Sequence, residues 1–545
     1  MNWTNETLAA HGLHPSVNRV PIPDSLQDVA SILGEQAKLR PNAEALVGRF
    51  DRLTFSQLDS ATNSAAAFLE SLGIAPASRV AACTANHTDL IVAFFAVQKL
   101  GAIWVSINPI TTASEKKHLL DTSGVAVFLG DDDSVSQVRT IESELPLLVA
   151  TIDMEPGNEA SGWVRGLKEF DGALPPEVNV DPWAPAGIAF TSGTTGFPKG
   201  VVHSQHNMMV VARIGELRGT RDSETVTATA LPLTILNLMI LGPVAAFSTG
   251  SKHVCIDQLN AESVAHWAET EKINTLALVP TVVQDLLTSP NISRESLRSV
   301  TSMAVGAATV PQGLPELYKE RFGMEPGIGY GLTEAPTGVS STSEESPKVQ
   351  GAIGQPLMHL EVSIQDDQGR TVAANEHGEI CFRAVQEGEW AQVYSPTLGY
   401  WNNAEATAEL LRGGWVHTGD VGSLDENGEL FIHDRRKDLI IRGGANVYPA
   451  EIERVLRLDS RVRDCAVVGR PDERLGEVVV AFIEPFDLQD SETIVSELKS
   501  LCESELSRYK IPVQWLVVEA MPRNAMGKVM KPHLRDRLLD SSIDA

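Results

Sequence analysis

The sequence predicts an α/β protein with a large N-terminal domain and a smaller C-terminal domain, on the strength of three observations. Helical and strand-like patterns alternate over residues 25–130, which is typical of a layered α/β domain. A chain of 545 residues is too long for a single hydrophobic core. Five consecutive charged residues at 434–438 indicate an exposed joint of the kind at which domains meet.

The individual elements follow from the spacing of the apolar residues. Apolar residues three and four apart predict helices, the first of them with Ser25 as its capping residue, and short apolar runs predict strands. The predicted helices are 25–33, 56–72, 88–100 and 497–509, and the predicted strands are 80–83, 102–107 and 478–483.

Composition excludes several classes of function. Lys and Arg total 44 against 71 Asp and Glu, a net charge of −27, and no basic cluster interrupts it. Nucleic acids and anionic membrane surfaces are therefore unfavourable partners. The apolar run 231–247 contains two prolines and falls short of about 20 residues, so we expect buried core or pocket wall rather than a membrane span.

The cysteines indicate a reducing compartment. All five are scattered, and none shows C-x-x-C spacing. We therefore expect buried thiols rather than disulfides or a zinc site, and a cytoplasmic location. The N-terminus shows neither the basic nor the apolar region of a secretory signal.

The segment 191–200 is the strongest chemical signal in the chain. It places hydroxyls, glycines and Lys199 directly after the apolar stretch 188–190. Such a loop can offer backbone N–H groups and a positive charge to an oligophosphate, although the same composition is also typical of a flexible linker. The spacing differs from a Walker loop, because two residues separate Gly196 from Lys199 and a glycine follows the lysine.

Further motifs follow in a fixed order: 330–335 (YGLTEA), 415–420 (WVHTGD), 434–453 (from DRRKDLI to AEIE) and 522–528 (PRNAMGK). Together with 191–200 they resemble the adenylate-forming (ANL) superfamily, and within it the AMP-dependent acyl-CoA synthetases, over about 54–528. The resemblance implies an N-terminal AMP-binding domain of several α/β layers, 1–434. It also implies a small mobile α+β lid domain, 438–545, and a hinge at 435–437.

The resemblance also implies a role for each motif residue. Lys528, Thr333 and Glu334 would be catalytic, with Glu334 holding Mg²⁺, Lys437 would be the hinge residue, and Gly443 and Gly444 would line the CoA tunnel. ATP or AMP would be bound by Thr191, Ser192, Gly193, Thr194, Thr195, Gly196, Lys199, Gly306, Ala307, Ala308, Gly329, Tyr330, Gly331, Asp420 and Arg435. The acyl pocket would include Thr234, Ile235, Asn237 and Ala304.

Each motif has a simpler interpretation when it stands alone. An isolated lysine such as Lys528 is typical of a solvated surface charge, Lys437 of a charged linker, and Thr-Gly-Asp of a turn. The ordered series favours the functional interpretation. His203 and His206, which follow the phosphate loop, are interpreted as structural residues rather than metal ligands.

The predicted substrate follows from what the pocket segments lack. Many relatives carry an aromatic–histidine pair after the Leu-Pro-Leu motif, and here Thr234 and Ile235 follow it instead. Ile235 cannot hold an amino group, which disfavours amino acids. No Lys or Arg occurs in 224–250 or 300–311, so a second buried carboxylate would be unpaired. An apolar monocarboxylic acid is predicted: fatty, branched, alicyclic or aryl.

These observations predict an AMP-forming carboxylic acid–CoA ligase that uses Mg²⁺, ATP and CoA. Two alternatives stay open: an adenylating enzyme with a carrier-protein or non-thiol acceptor, and a non-catalytic nucleotide-binding regulator of the same fold. A phosphate-loop ATPase is disfavoured by the loop spacing. The oligomeric state is left open, with a homodimer as one alternative.

Overall fold

The computed structural model describes residues 3–15, 28–191, 198–218, 223–306, 310–311, 313–342, 349–442, 445–488, 491–523 and 528–539. The chain divides into two compact units. Unit 1 consists of Met1–Val362 and Phe382–His417, and unit 2 of Ser363–Cys381 and Thr418–Ala545. The predicted domain boundary at 434–438 stays a prediction.

The helices of the described residues are, in chain order, α1 Asn5–Ala10, α2 Val29–Leu39, α3 Phe55–Ser71, α4 Thr88–Lys99, α5 Ala113–Ser123, α6 Asp132–Ile141, α7 Gly162–Glu169, α8 Gln205–Arg218, α9 Leu236–Met239, α10 Ala245–Thr249, α11 Ala261–Glu271, α12 Pro280–Thr288, α13 Leu314–Phe322, α14 Ala404–Leu410, α15 Pro449–Leu456, α16 Ser491–Glu505 and α17 Lys531–Leu539.

The strands are β1 Glu44–Val47, β2 Arg52–Thr54, β3 Arg79–Cys83, β4 Ile103–Ser106, β5 Val127–Gly130, β6 Ala150–Asp153, β7 Pro185–Thr191, β8 Lys199–Ser204, β9 Val226–Thr229, β10 Lys252–Cys255, β11 Thr275–Leu278, β12 Ser302–Val305, β13 Gly327–Tyr330, β14 Ser340–Ser341, β15 Gln355–Pro356, β16 Leu360–Gln365, β17 Gly378–Ala384, β18 Gly399–Tyr400, β19 Val416–Leu424, β20 Leu430–Arg435, β21 Ile440–Arg442, β22 Ala445–Val447, β23 Val462–Asp472, β24 Gly476–Pro485 and β25 Gln514–Val517.

Unit 1 contains two large sheets. The seven-stranded sheet has the order β18-β8-β7-β4-β3-β5-β6, and the nine-stranded sheet the order β15-β14-β13-β12-β11-β9-β10-β1-β2. Strands β3 to β7 run parallel in the first, and β9 to β13 run parallel in the second. Helices joining parallel strands give the layered α/β class predicted from the alternating pattern, and that prediction is confirmed.

The predicted elements of unit 1 agree closely with the structure. Helices α3 and α4 begin and end within one residue of 56–72 and 88–100. Both bury aromatic side chains beside the sheet, and Phe94 lies edge-on to the fully buried Trp104 of β4. Truncating a buried aromatic ring of this kind to alanine costs about 3–5 kcal/mol, so this contact anchors the layer.

The predicted start of the first long helix is wrong. Helix α2 begins at Val29, and its capping residue is Asp28, whose Oδ1 accepts from the Ser31 N–H at 2.8 Å. The predicted cap, Ser25, lies outside the described residues. Asp28 satisfies an otherwise unpaired N–H of the first turn, which serine and aspartate do about equally well, so composition did not distinguish them.

The apolar run 231–247 folds as short helical segments rather than as one long helix. It contains α9, a π-helical turn at Ile240–Val244 with Pro243 inside it, and the start of α10. The proline supplies no N–H to an α-helical ladder, which accounts for the change of helix type. Within the part of the chain that the structure describes, no helix is long and apolar enough to cross a membrane.

Two smaller sheets lie wholly or mainly in unit 2. Strands β16, β17, β19 and β20 form one in that order, and β22, β21, β24 and β23 form the other, with β25 added parallel to β24. The predicted strand 478–483 is confirmed within β24. The predicted helix 497–509 is confirmed in part, because α16 starts earlier and ends at Glu505, and a 3-10 turn follows at Arg508–Lys510. All five cysteines of the chain are buried, as predicted.

Candidate functional site

The flanks of the predicted phosphate loop form a strand pair. Thr191 ends β7 and Lys199 begins β8, and the two residues lie opposite each other in the antiparallel ladder. The Thr191 hydroxyl donates to the Lys199 carbonyl at 3.4 Å. The predicted site residues at 192–196 lie outside the described residues. The hairpin therefore fixes both ends of the loop at the carboxyl end of β7.

Three groups from distant parts of unit 1 converge beside this hairpin. The Lys199 Nζ lies 5.1 Å from the centre of the Tyr400 ring. The Tyr400 hydroxyl donates to Glu334 Oε1 at 2.7 Å. Strand β18 places Tyr400 here, because it pairs with β8 so that Tyr400 lies opposite Val201. Tyr400 thus links the phosphate-loop lysine to the predicted magnesium ligand.

Tyr400 was missed by the sequence prediction. Its contact with Glu334 joins residues 66 positions apart, and no spacing rule connects them. The local signal is the Gly399-Tyr400 pair, where Gly399 adopts φ 115°, a backbone conformation that favours glycine.

The predicted Thr333–Glu334 segment is a turn held from two sides. The Ala335 N–H donates to the Leu332 carbonyl at 2.9 Å, which closes the turn. The Asn237 amide donates to the Leu332 carbonyl at 3.0 Å and to the Ala335 carbonyl at 3.4 Å. Asn237, predicted to line the acyl pocket, therefore also orients the segment that carries Glu334.

His203 holds the same turn from the other side. Its Nε2 lies 2.8 Å from the Thr333 carbonyl, and a carbonyl only accepts, so Nε2 carries the proton. The ring is fully buried, and burial lowers the pKa of His203 to about 4. The imidazole is therefore neutral at pH 7 and acts as a hydrogen-bond donor, in line with its interpretation as structural.

Glu334 fits the requirements of a hard divalent cation. Its side chain is buried, Oε1 accepts from Tyr400, and Oε2 makes no hydrogen bond among the described residues. A buried carboxylate with one oxygen left over is a good ligand for Mg²⁺, which prefers one or two carboxylates together with phosphate oxygens. Glu334 is thus the residue that would hold the metal.

Glycines let two parallel strands approach closely beside this turn. Gly306 follows β12, and Gly329 and Tyr330 belong to the neighbouring strand β13. A Cβ on Gly306 would lie 2.8 Å from the Gly329 carbonyl oxygen, and a Cβ on Gly331 would lie 3.0 Å from the Gly338 Cα. Both positions therefore need glycine for backbone contact.

The remaining predicted pocket residues surround α9 and β12. Thr234 is buried, and its hydroxyl has no hydrogen-bond partner among the described residues. Ile235 is the capping residue of α9, and Ala304 is exposed on β12. Ala307 and Ala308 lie outside the described residues.

Unit 2 brings together a second set of predicted residues. Asp420 on β19 and Arg435 on β20 lie opposite each other in the ladder, and their side chains form an ion pair at 3.0 Å. The Asp420 carboxylate is nearly fully buried. An ion pair between neighbouring strands fixes both side chains in one orientation.

Lys528 interacts electrostatically with both residues of this ion pair, Asp420 and Arg435. Burial of the ammonium lowers its pKa, and so do the charges of Arg435 and Lys437, whereas Asp420 and Asp438 act in the opposite direction. The pKa of Lys437 is also lowered, mainly by burial. The structure therefore groups the predicted catalytic lysine with the predicted ribose and hinge residues. Gly443 and Gly444 lie outside the described residues.

Known proteins match the chain over nearly its whole length. The AMP-binding enzyme family matches residues 33–388, and the AMP-binding enzyme C-terminal domain matches residues 451–528. Long-chain-fatty-acid–CoA ligase FadD13 of Mycobacterium tuberculosis (strain CDC 1551 / Oshkosh) is 31% identical, over 94% of this chain and 99% of that protein. 3-[(3aS,4S,7aS)-7a-methyl-1,5-dioxo-octahydro-1H-inden-4-yl]propanoyl:CoA ligase of M. tuberculosis (strain ATCC 25618 / H37Rv) is 32% identical, over 94% and 99%.

A solved structure agrees with these relatives. The o-succinylbenzoate CoA synthetase (MenE) from Bacillus subtilis, in complex with the acyl-adenylate intermediate OSB-AMP, superposes with a TM-score of 0.80. It is 28% identical and covers 94% of this chain and 98% of its own. The predicted superfamily and fold class are confirmed. The chain belongs to the AMP-binding enzyme family and is an AMP-forming acid–thiol ligase.

Proposed function

We propose that this enzyme activates an apolar monocarboxylic acid with Mg-ATP and passes the acyl group to CoA. The observation that supports the proposal best is the convergence of Lys199, Tyr400 and Glu334 in unit 1. A buried carboxylate with an open oxygen, beside a lysine at the end of a glycine-rich loop, suits a metal-bound triphosphate.

The chemistry runs in two half-reactions. In the first, a carboxylate oxygen of the acid attacks the α-phosphorus of ATP, the bond to the β-phosphate oxygen breaks, and pyrophosphate leaves. In the second, the thiol sulfur of CoA attacks the acyl carbon, the proton is lost to solvent, and AMP leaves. The first step brings two anions together, so it needs positive charge between them.

The residues of unit 1 would act on the triphosphate. Lys199 would bind phosphate oxygens, and Thr333 would donate to the α-phosphate. Glu334 would hold Mg²⁺, which when bound neutralises charge on the departing pyrophosphate. Tyr400, His203 and Asn237 keep the Thr333–Glu334 turn in place through the hydrogen bonds described above. Gly306, Gly329 and Tyr330 would lie against the adenine.

The residues of unit 2 would act on the ribose and on the reacting charge. The Asp420 carboxylate would accept from the ribose hydroxyls, with Arg435 as a donor to ribose and phosphate. Lys528 would stabilise the charge that develops as the carboxylate attacks. Lys437 would act as the hinge residue between half-reactions, and the 443–444 glycines would line the path of the CoA thiol.

Relatives support the choice of acid. The two curated relatives are named for a long-chain fatty acid and for a methyl-dioxo-octahydroindenyl propanoate, and both are monocarboxylates. The pocket segments 224–250 and 300–311 of this chain contain no Lys or Arg to pair with a second carboxylate. We place the enzyme in the cytoplasm, where five buried thiols stay reduced.

The first test incubates the protein with Mg-ATP, CoA and a mixed panel of carboxylic acids, followed by mass spectrometry of the products. We expect acyl-CoA and AMP in equal amounts. Acyl-adenylate and pyrophosphate without acyl-CoA would indicate a carrier-protein or non-thiol acceptor. Absence of any product with every acid would support a non-catalytic regulator.

The second test separates the half-reactions with Lys528→Ala. Two unit charges 4 Å apart interact by about 4 kcal/mol at an effective dielectric near 20, so adenylation should slow about a thousandfold. Thioester formation from pre-made acyl-adenylate should be largely unchanged. Equal loss in both half-reactions would contradict the role proposed for Lys528.

A further inference from the structure

One face of the nine-stranded sheet is open along β11 and β12. On both strands every second side chain is buried, and the side chains between them are exposed or half-buried. The buried side chains are Leu276, Leu278, Met303 and Val305, the exposed ones are Ser302 and Ala304, and the half-buried ones are Thr275 and Ala277. Parallel sheets in α/β proteins are normally covered on both faces, so this stretch has room for another occupant.

The strand register sorts the open face into two rows. The inner row, nearer the carboxyl ends of the strands, is made of small residues: Thr229, Ala277, Ala304 and Gly327. The outer row lies two residues earlier on β9, β11 and β12, where it carries the hydroxyls of Thr227, Thr275 and Ser302. Side chains two apart share a face, and the rows are about 6.6 Å apart at about 3.3 Å per residue.

The outer row has unused hydrogen-bonding capacity. The hydroxyls of Thr275 and Ser302 make no hydrogen bond among the described residues. Next to Thr227, the row continues to His253, whose Nδ1 lies 2.8 Å from the Thr227 hydroxyl. His253 is fully buried, and its Nε2 has no partner in the described part of the chain. The row is therefore polar from one end to the other and incompletely paired.

The two rows are continuous with the candidate adenylate site. Gly306 follows β12 directly, and Ser302 lies four residues before it, a distance of about 13 Å along an extended strand. An acid whose carboxyl group lies at Gly306 would therefore place its body over the inner row. Its far end would reach the outer row.

We propose that the preferred acid carries a hydroxyl or oxo oxygen at its far end, bound by the Thr275 and Ser302 hydroxyls. The proposal rests on the ligase function proposed above and names the substrate class more narrowly. A purely hydrocarbon end would remove water from two hydroxyls and give no bond in return, which is unfavourable. A second carboxylate would also be unfavourable, because neither row, as the strand register defines it, contains a Lys or Arg to pair with it.

The test compares matched acids on matched variants. Each acid in a series of medium-length fatty acids is assayed beside its ω-hydroxy and ω-oxo counterparts, and kcat/KM for acyl-CoA formation is measured. The variants are Ser302→Ala and Thr275→Val, which remove a hydroxyl with little change in volume. The control is Ser293→Ala, an exposed serine whose hydroxyl lies 3.3 Å from the Ser296 hydroxyl.

We expect the wild-type enzyme to prefer an oxygenated acid about tenfold at the best chain length. Ser302→Ala and Thr275→Val should each reduce kcat/KM for that acid about fivefold to tenfold, which corresponds to one lost hydrogen bond, and should raise kcat/KM for the plain acid, whose hydrocarbon end then desolvates one hydroxyl fewer. Ser293→Ala should leave both acids unchanged.

The contrary results are distinct from failure of the ligase function. A wild-type preference for the plain acid at every length, or equal losses on both acids in the two variants, would overturn the proposal while acyl-CoA still forms. Absence of acyl-CoA with every acid would overturn the ligase function itself, and the narrower substrate proposal with it.

Discussion

The Tyr400 side chain contacts both Lys199 and Glu334, the two charged residues of the candidate phosphate site in unit 1. Its ring faces the Lys199 ammonium, and its hydroxyl donates to Glu334. A ring face attracts a cation, and a hydrogen bond to a carboxylate is stronger than one between neutral groups. Tyr400 is therefore a positioning residue, since it orients two groups that would contact the substrate.

Tyr400→Phe should keep the cation–ring contact and lose the bond to Glu334. A hydrogen bond to a charged group contributes about 1.5–3 kcal/mol, so we expect the Mg²⁺ concentration for half-maximal adenylation to rise about tenfold to a hundredfold. Calorimetric binding of Mg-ATP should weaken by a similar factor. The control is Tyr318→Phe, since the Tyr318 hydroxyl is buried without a partner among the described residues. An unchanged Mg²⁺ dependence in Tyr400→Phe would exclude the positioning role.

The lowered pKa of Lys528 predicts how the rate of adenylation depends on pH. Its pKa is lowered by burial and by Arg435 and Lys437, while Asp420 and Asp438 partly offset this. If the protonated lysine drives adenylation, the rate is complete below this pKa and is lost as the pH rises through it. The pH at which the adenylation rate is lost should thus lie below the ordinary lysine pKa of 10.5. Asp438→Asn removes one stabilising charge, so this alkaline limit should move to still lower pH.

The measurement is pyrophosphate exchange across an alkaline pH series, with thioester formation from pre-made acyl-adenylate as the comparison. Only the rate of the exchange reaction should fall as Lys528 loses its proton. If Asp438→Asn shifts the limit upward, or shifts both half-reactions together, another group controls the profile.

At the scale of elements, close strand contact explains the glycines of the site. Strands β12 and β13 approach so closely that the Gly306 position leaves 2.8 Å between a built Cβ and the Gly329 oxygen. That neighbour is backbone, which cannot move aside as a flexible side chain can. A methyl group at position 306 must therefore displace one of the two strands at the predicted adenine-binding wall.

Gly306→Ala should destabilise the enzyme by about 1–3 kcal/mol and weaken AMP binding, because the displaced strand carries Gly329 and Tyr330. Gly34→Ala is the matched control. Gly34 lies inside α2, and nothing lies within 4 Å of its built Cβ. This substitution should stabilise the enzyme by about 0.5–1 kcal/mol through helix propensity. Thermal denaturation with and without AMP measures both effects, and a Gly306→Ala enzyme with unchanged stability would contradict the close contact.

The same elements show how far the sequence could predict the structure. Helices α3 and α4 were predicted within one residue, because their apolar spacing records a buried face. The contacts of Tyr400 and Asn237 were not predicted, because each joins residues that only the folded sheets bring together. Asp28 was missed for a different reason, since several nearby polar residues could have capped α2. The spacing of apolar residues can be read from a sequence, whereas contacts between residues far apart in the chain can be seen only in the folded structure.

At the scale of the whole molecule, the net charge opposes the binding of the enzyme's own substrates. The chain carries −27, while ATP, CoA and the acid are all anions. The cations that would receive them, Lys199, Arg435 and Lys528, are few and lie at specific places. Long-range repulsion therefore acts on the approach of substrate, and short-range attraction acts only on contact.

This balance predicts an unusual dependence on salt. Raising ionic strength from about 0.01 M to about 0.15 M shortens the Debye length from about 30 Å to about 8 Å, which screens distant charges more than contacts. We expect KM for CoA to fall about threefold over this range, and KM for the singly charged acid to fall less. Sucrose at matched osmolality is the control and should change neither value. A KM for CoA that rises with salt would mean that the local cations, rather than the charge of the whole chain, govern the approach of the substrate.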